Sequence, residues 1–233
     1  MNKSNFLSEL DRRGIACSID QVNLLWEFMQ EVLITNEKFN LTAIKDEQSF
    51  AEKMIFDSAL LLNNQNFAGQ DIVDIGTGAG FPSVVISILS PEAHIIAIDS
   101  TAKKINFIND FAKKHNLNLE AISTRAEDFA QNNREKYLLV TARAVAPLRM
   151  LIELAMPMLK VGGHLIAFKG PDFEKEIEES QGAFKKLKCD IHYVYEDQLP
   201  ESEESRYLIY VRKLCTTPNK YPRSFAEIKN KPL

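Results

Sequence analysis

Cysteine is scarce in this chain, and what little there is does not pair. Cys17, Cys189 and Cys215 stand far apart with no CxxC spacing. That argues against a disulfide framework and against a cysteine-based zinc site. The histidines, His94, His115, His164 and His192, are equally scattered and show no metal-ligand spacing, so no metal is expected. Long apolar runs are missing too. The most apolar region, residues 138–168, is interrupted by Arg143, Arg149, Glu153 and Lys160, which excludes a membrane-spanning segment there. Residues 1–13 mix acids and bases and hold no signal-peptide core, so a cytoplasmic chain with no membrane partner is expected. Charge of one sign is also lacking. A net charge of −4 argues against wholesale attraction to a polyanion and leaves such binding to a local patch. There is no internal repeat or low-complexity linker, and nothing in the pattern demands more than a monomer.

What is present suits one α/β domain with a modest extension: 233 residues, 45% hydrophobic and 26% charged. Residues 1–65 read as a helical N-terminal extension packed on a main domain at residues 66–233. Ser18 followed by Gln21 resembles a capping box, and Val22, Leu25, Trp26, Met29 and Leu33 then recur at helical spacing. Phe39-Asn40-Leu41-Thr42 breaks the pattern, and a second helix is expected over 47–62. From Asp71 onward strands are expected at 71–75, 93–98, 119–123, 137–141 and 163–168. Helices between them should span 81–89, 101–115, 126–131 and 147–159. Such alternation implies a parallel sheet covered on both faces. Pro157 should stop the fourth of these helices, and Gly162-Gly163 should turn into the fifth strand. A polar helix over 172–187 then leads to strands at 189–196 and 206–213, an antiparallel hairpin at the sheet edge.

The organising stretch is Asp71 to Pro82, Asp-Ile-Val-Asp-Ile-Gly-Thr-Gly-Ala-Gly-Phe-Pro. A strand, a glycine turn and a helix N-terminus make a cradle for a nucleotide-like ligand. The dinucleotide fingerprint GxGxxG would need glycine at position 81, and Phe81 stands there. With Asp74 two residues before Gly76, and Gly78 and Gly80 after it, the pattern suits a cationic, amino-acid-bearing nucleoside such as S-adenosylmethionine. A plain strand-to-helix turn is the bland alternative.

In a doubly wound sheet the ligand sits at the carboxyl ends of the strands, and several candidates fall there. Asp99, after the second strand, can hold both ribose hydroxyls or merely cap the next helix. Ala126 and Glu127, after the third, can bracket an adenine ring or serve as helix-capping residues. Arg143, after the fourth, can bind a phosphate or a base edge or form a structural salt bridge. Lys169, with Gly170, follows the fifth strand on the same rim. Charge is uneven beyond this point. Residues 172–204 hold eleven acids against four lysines, whereas residues 206–233 hold seven bases against Glu227 alone. The basic tail is therefore the better candidate for phosphate contacts.

Phe39-Asn40-Leu41-Thr42, Asp57-Ser58, the Asp74–Pro82 stretch, Asp99-Ser100 with Lys103-Lys104, Arg125-Ala126-Glu127, Arg143-Ala144-Val145-Ala146-Pro147, Lys169-Gly170, Tyr221-Pro222-Arg223 and Lys231-Pro232-Leu233 occur in order. Over nearly the whole chain this resembles the bacterial glucose-inhibited division protein B family, the 16S ribosomal RNA guanine N7-methyltransferases (small-subunit methyltransferase G). The resemblance implies a class I S-adenosylmethionine-dependent methyltransferase with a Rossmann-like, mostly parallel seven-stranded sheet. Its implied partner is 16S rRNA in the small ribosomal subunit, and its implied chemistry is N7-methylation of one guanine. The family's cofactor positions map to Gly76, Phe81, Ala126, Glu127 and Arg143; Asp74, Gly78 and Asp99 join them from the motif itself. Arg143, and secondarily Asn40, are expected to orient the guanine or its phosphate. Lys169, Arg206, Arg223, Lys229 and Lys231 are expected to meet the RNA. Three departures stand out: Met54 replaces the usual histidine, and Ser83 and Ala226 replace usual glycines. Alternatives from the residues alone are a methyltransferase for a small molecule or protein, a ribosome-binding module that holds a nucleoside without turnover and, more distantly, a nicotinamide oxidoreductase.

Overall fold

The computed structural model describes residues 1–63 and 65–233; position 64, inside the expected extension, lies outside the described residues. Two helices open the chain, α1 (Lys3–Arg12) and α2 (Ile19–Asn36). The Ser18–Gln21 capping box forms, with the Gln21 amide donating to Ser18 Oγ at 3.2 Å and the Ser18 amide donating to Gln21 Oε1 at 2.8 Å. Asn36 Oδ1 then accepts the amides of Leu41 (2.7 Å) and Thr42 (3.0 Å), which fixes the break after α2. The helix expected over 47–62 is a series of unlike turns: α3 (Glu47–Phe50), a π-helical stretch (Ala51–Phe56), α4 (Asp57–Ala59) and a 3-10 turn (Leu60–Leu62).

The remaining elements are β1 (Asp71–Ile75), α5 (Ser83–Leu89), β2 (His94–Asp99), α6 (Ala102–Lys114), β3 (Leu119–Ser123), α7 (Ala126–Asn132), β4 (Tyr137–Arg143) and α8 (Leu148–Ala155). They continue with β5 (Leu159–Lys169), α9 (Phe173–Glu179), α10 (Gln181–Leu187), β6 (Cys189–Gln198), β7 (Ser205–Lys213) and α11 (Phe225–Asn230). The seven strands form one sheet in the order β3-β2-β1-β4-β5-β7-β6. β7 alone runs antiparallel, against β5 on one side and β6 on the other. Strand order reverses between β1 and β4, where Asp74 stands opposite Thr141 and Ile75 opposite Ala142. That reversal opens a crevice at the carboxyl ends, where open α/β sheets bind ligands.

Two expectations need correction. Gly162 and Gly163 do not precede the fifth strand but lie within it. The pairing of Tyr137 with Leu159 and of Leu139 with His164 leaves extra residues on β5, a bulge that Gly162 accommodates at φ +86°. Gly163 sits so close to Leu138 that a Cβ would lie 2.9 Å from its carbonyl oxygen. The polar helix over 172–187 is broken at Ser180, whose Oγ donates to the Glu176 carbonyl at 2.6 Å.

One face of the sheet packs Ile72, Ile95 and Ile166 together with Phe6, Leu25, Phe28, Phe50 and Phe56 from the N-terminal helices. The other face packs Val73, Val140 and Leu165 under α8, α10 and the C-terminal segment. The first 62 residues thus share an apolar core with the sheet. Among the described residues no helix is long and apolar enough to cross a membrane.

Candidate functional site

The glycine turn after β1 takes conformations that side chains resist. Gly76 and Gly78 hold φ of +68° and +60°. A Cβ on Gly76 would come within 2.6 Å of Val145 Cγ2, whereas one on Gly78 would meet nothing closer than 3.9 Å and would project into open space. The Gly78 amide donates to Asp99 Oδ2 at 3.1 Å and the Thr101 amide to Asp99 Oδ1 at 2.8 Å. The carboxylate is thereby aimed while retaining acceptor capacity for a ligand.

Asp74 does not face the crevice. It is buried one layer below, where Ser83 Oγ donates to its Oδ2 (2.6 Å) and Thr141 Oγ1 to its Oδ1 (3.0 Å). Burial raises its pKa to about 7, against the opposing pull of the Ser83, Thr77 and Thr141 hydrogen bonds. Ser83, at a usual glycine position, is therefore a ligand of this buried acid.

A cleft of about 450 Å³ lies over the turn, a size usual for small-ligand sites. It brings together Gly76, Gly78, Phe81, Asp99, Ala126, Glu127 and Arg143 of the expected residues. Its wall also includes Leu41, Met54, Thr77, Lys104, Val145 and Phe225, which sequence reasoning missed as ligand-facing. Asn40 is exposed beside Leu41 rather than in the wall. The Phe81 ring packs against Phe28 at 5.3 Å and edge-on against Phe50 at 5.5 Å. The floor of the cleft therefore rests on the N-terminal helices.

Arg143 is engaged at every guanidinium nitrogen. Nε pairs with Asp57 at 3.2 Å; Nη1 donates to Ser58 Oγ at 3.2 Å and the Met54 carbonyl at 3.4 Å; Nη2 donates to the Lys53 carbonyl at 2.8 Å and Met54 Sδ at 3.1 Å. The π-helical stretch displaces carbonyls from the ordinary helical ladder, and Arg143 takes up two carbonyls of that stretch. Burial raises the pKa of Asp57, opposed by the charges of Arg143 and Arg206, the latter 3.4 Å away. In this arrangement Arg143 joins β4 to the N-terminal region and lines the cleft without a free fork.

The expected RNA-facing cations are not gathered in the cleft. Lys169 donates to the Ala146 carbonyl at 2.9 Å and pairs with Glu176 at 2.7 Å, and Arg206 also pairs with Glu204 at 2.8 Å. Arg223 grips the fully buried Glu153, Nε to Oε1 at 2.7 Å and Nη2 to Oε2 at 2.6 Å. Lys229 and Lys231 are exposed.

Comparison with known proteins gives a consistent result. The family described as rRNA small subunit methyltransferase G matches residues 21–206. Ribosomal RNA small subunit methyltransferase G of Caldanaerobacter subterraneus subsp. tengcongensis is 39% identical over 224 residues, covering 94% of this chain and 93% of that protein. The protein of the same name from Lactobacillus delbrueckii subsp. bulgaricus is 39% identical over 241 residues and covers both chains completely. Among solved structures, TYW2 of P. horikoshii in complex with MeSAdo aligns with a TM-score of 0.51 at 14% identity, over 68% of this chain and 62% of that one, a likeness of fold.

Proposed function

From the premise that this chain belongs to the rRNA small subunit methyltransferase G family, we propose that it methylates N7 of one guanine in 16S rRNA. The methyl donor is S-adenosylmethionine, and the enzyme works in the cytoplasm as a monomer on the small ribosomal subunit. The observation that carries this reading is the cleft over the glycine turn, where an oriented Asp99 carboxylate borders a backbone left open by Gly78.

These residues suit the cofactor. Asp99 would accept the ribose hydroxyls, Ala126 and Glu127 would flank the base, and Gly76 and Gly78 would let the chain approach the amino-acid portion. When bound, S-adenosylmethionine supplies an activated methyl carbon on a positively charged sulfur. Guanine N7 attacks with an in-plane lone pair and loses no proton, so no general base is required. In keeping with that, the acids in the described cleft wall are Asp99 and Glu127, both toward the nucleoside end, and the wall contains no histidine. The enzyme's task is then alignment, which supplies about 7–11 kcal/mol in favourable systems. Arg143, in the wall, and Asn40, exposed next to the wall residue Leu41, are assigned to orienting the guanine; Arg143 acts by holding the Lys53–Ser58 turn and, through it, Met54 of the cleft wall. Residues 1–65 are read as a helical extension on a 66–233 methyltransferase domain, and this extension takes part in the site through Leu41 and Met54 in the wall. The exposed Lys229 and Lys231 are the tail cations left for phosphate contacts.

The test is methyl transfer from labelled S-adenosylmethionine to unmodified 30S subunits and to their stripped RNA, with mapping of the modified base. Label at a single guanine N7 is expected. Cofactor binding without label in either preparation would refute the RNA substrate.

A further inference from the structure

We infer that the C-terminal segment forms one wall of the cofactor site and that the Phe225 ring is an aromatic face for the adenine base; this rests on reading the cleft as the S-adenosylmethionine site. The segment lies beyond the residues matched by the family, 21–206, so nothing in that match assigns it a role.

Two observations fix which end of the cleft receives the base. Asp99, held by the Gly78 and Thr101 amides, terminates β2, the place where an acid meets ribose in this kind of sheet. The base then lies farther along, toward the end of β3, where Thr124, Arg125, Ala126 and Glu127 line the wall. Phe225 lines the same cleft, and the Arg125 guanidinium carbon is 5.8 Å from its ring centroid. Arg125 lies over one face of this half-buried ring, so a nucleobase would stack on the side that lines the cleft, with the cation adding to the stack. Such stacking tolerates any base edge.

The ring's position is built by a series of anchors. Arg134 donates to the Thr217 and Tyr221 carbonyls, both at 2.6 Å, and holds the incoming strand of chain. Arg223 clamps the buried Glu153 of α8. Ser224 and Glu227 form a capping box that starts α11 at Phe225, and Ile228 is fully buried below. A ring held only for packing would not need to open on the cleft; this one closes the core on one side and faces the cleft on the other.

The test is calorimetric titration of the full chain with S-adenosylhomocysteine and, separately, with 5′-methylthioadenosine, which has the base but no amino-acid end. Phe225→Ala is expected to weaken both ligands about tenfold or more. Phe225→Trp should stay near the wild-type affinity. Phe225→Leu, which preserves the core contacts, should fold normally and lose affinity for both ligands, so a misfolded alanine variant does not leave the question open. Unchanged affinities in Phe225→Leu, or a loss confined to S-adenosylhomocysteine, would overturn the inference. A wild-type chain that binds neither ligand would instead overturn the methyltransferase reading beneath it.

Discussion

Gly78 and Asp74 stand four residues apart in one motif, yet they answer to different physics. Gly78 is needed for backbone shape and for emptiness: its φ of +60° disfavours a β-branched residue, and its missing side chain leaves the cleft open. Gly78→Val should therefore abolish calorimetric binding of S-adenosylhomocysteine while costing the fold far less, and normal affinity in a folded variant would dismiss the site. Asp74 is needed underneath. A carboxyl whose folded pKa exceeds its unfolded one keeps a proton that the unfolded chain has released. With a pKa raised from 3.8 to about 7, its ionisation penalty is absent in acid and grows until about pH 7. At about 1.4 kcal/mol per pH unit that is a few kcal/mol of stability lost on neutralisation. Asp74→Asn should remove this decline, so that the variant gains on the wild type in urea unfolding between pH 4 and 7. Parallel pH profiles for the two proteins would show that Asp74 ionises freely.

Among the elements, the C-terminal segment and α8 are joined by one ion pair that cannot be halved cheaply. Glu153 is fully buried, and Arg223 supplies three of its donors counting the backbone amide. Arg223→Ala leaves that charge without its partner, a change that costs about 3 kcal/mol at the lower end of such cases because the guanidinium side chain keeps 21% exposure. Denaturant unfolding should register it, and an unchanged midpoint would mean that water reaches Glu153. The strands and the Ser18–Gln21 capping box were legible in the sequence because each is local: an apolar run between breakers, or two residues three apart. The π-helical stretch was not, since one wide turn changes no apolar period that a single amphipathic pass can detect. Nor was the β5 bulge, because Gly162-Gly163 reads as a turn unless the partner strand is known. Arg143 was found as a strand-end cation, but whether it faces a ligand or two backbone carbonyls depends on residues ninety positions away. Phe225 escaped altogether, being one aromatic in a polar tail without periodicity.

For the whole molecule, the net charge of −4 means that RNA must be met by patches, and several candidate patches are already neutralised internally. Lys169, Arg206 and Arg223 all face carboxylates, which leaves Lys229 and Lys231 as the exposed cations among those expected in the RNA contact. Removing both lysines should lower the steepness of the salt dependence of RNA binding by about 1 to 2 in the log–log slope. Removing Arg223 should change stability far more than that slope. A slope unaffected by the double substitution would restrict the tail to its packing role.

The cleft wall draws Leu41 and Met54 from near the start of the chain and Phe225 from near its finish. Synthesis proceeds in one direction, so a growing polypeptide can fold its glycine turn long before the last wall exists. A growing chain not yet extended past Phe225 therefore has an unfinished cleft. The pocket can close around a ligand only after that residue has been made and has packed beside the sheet.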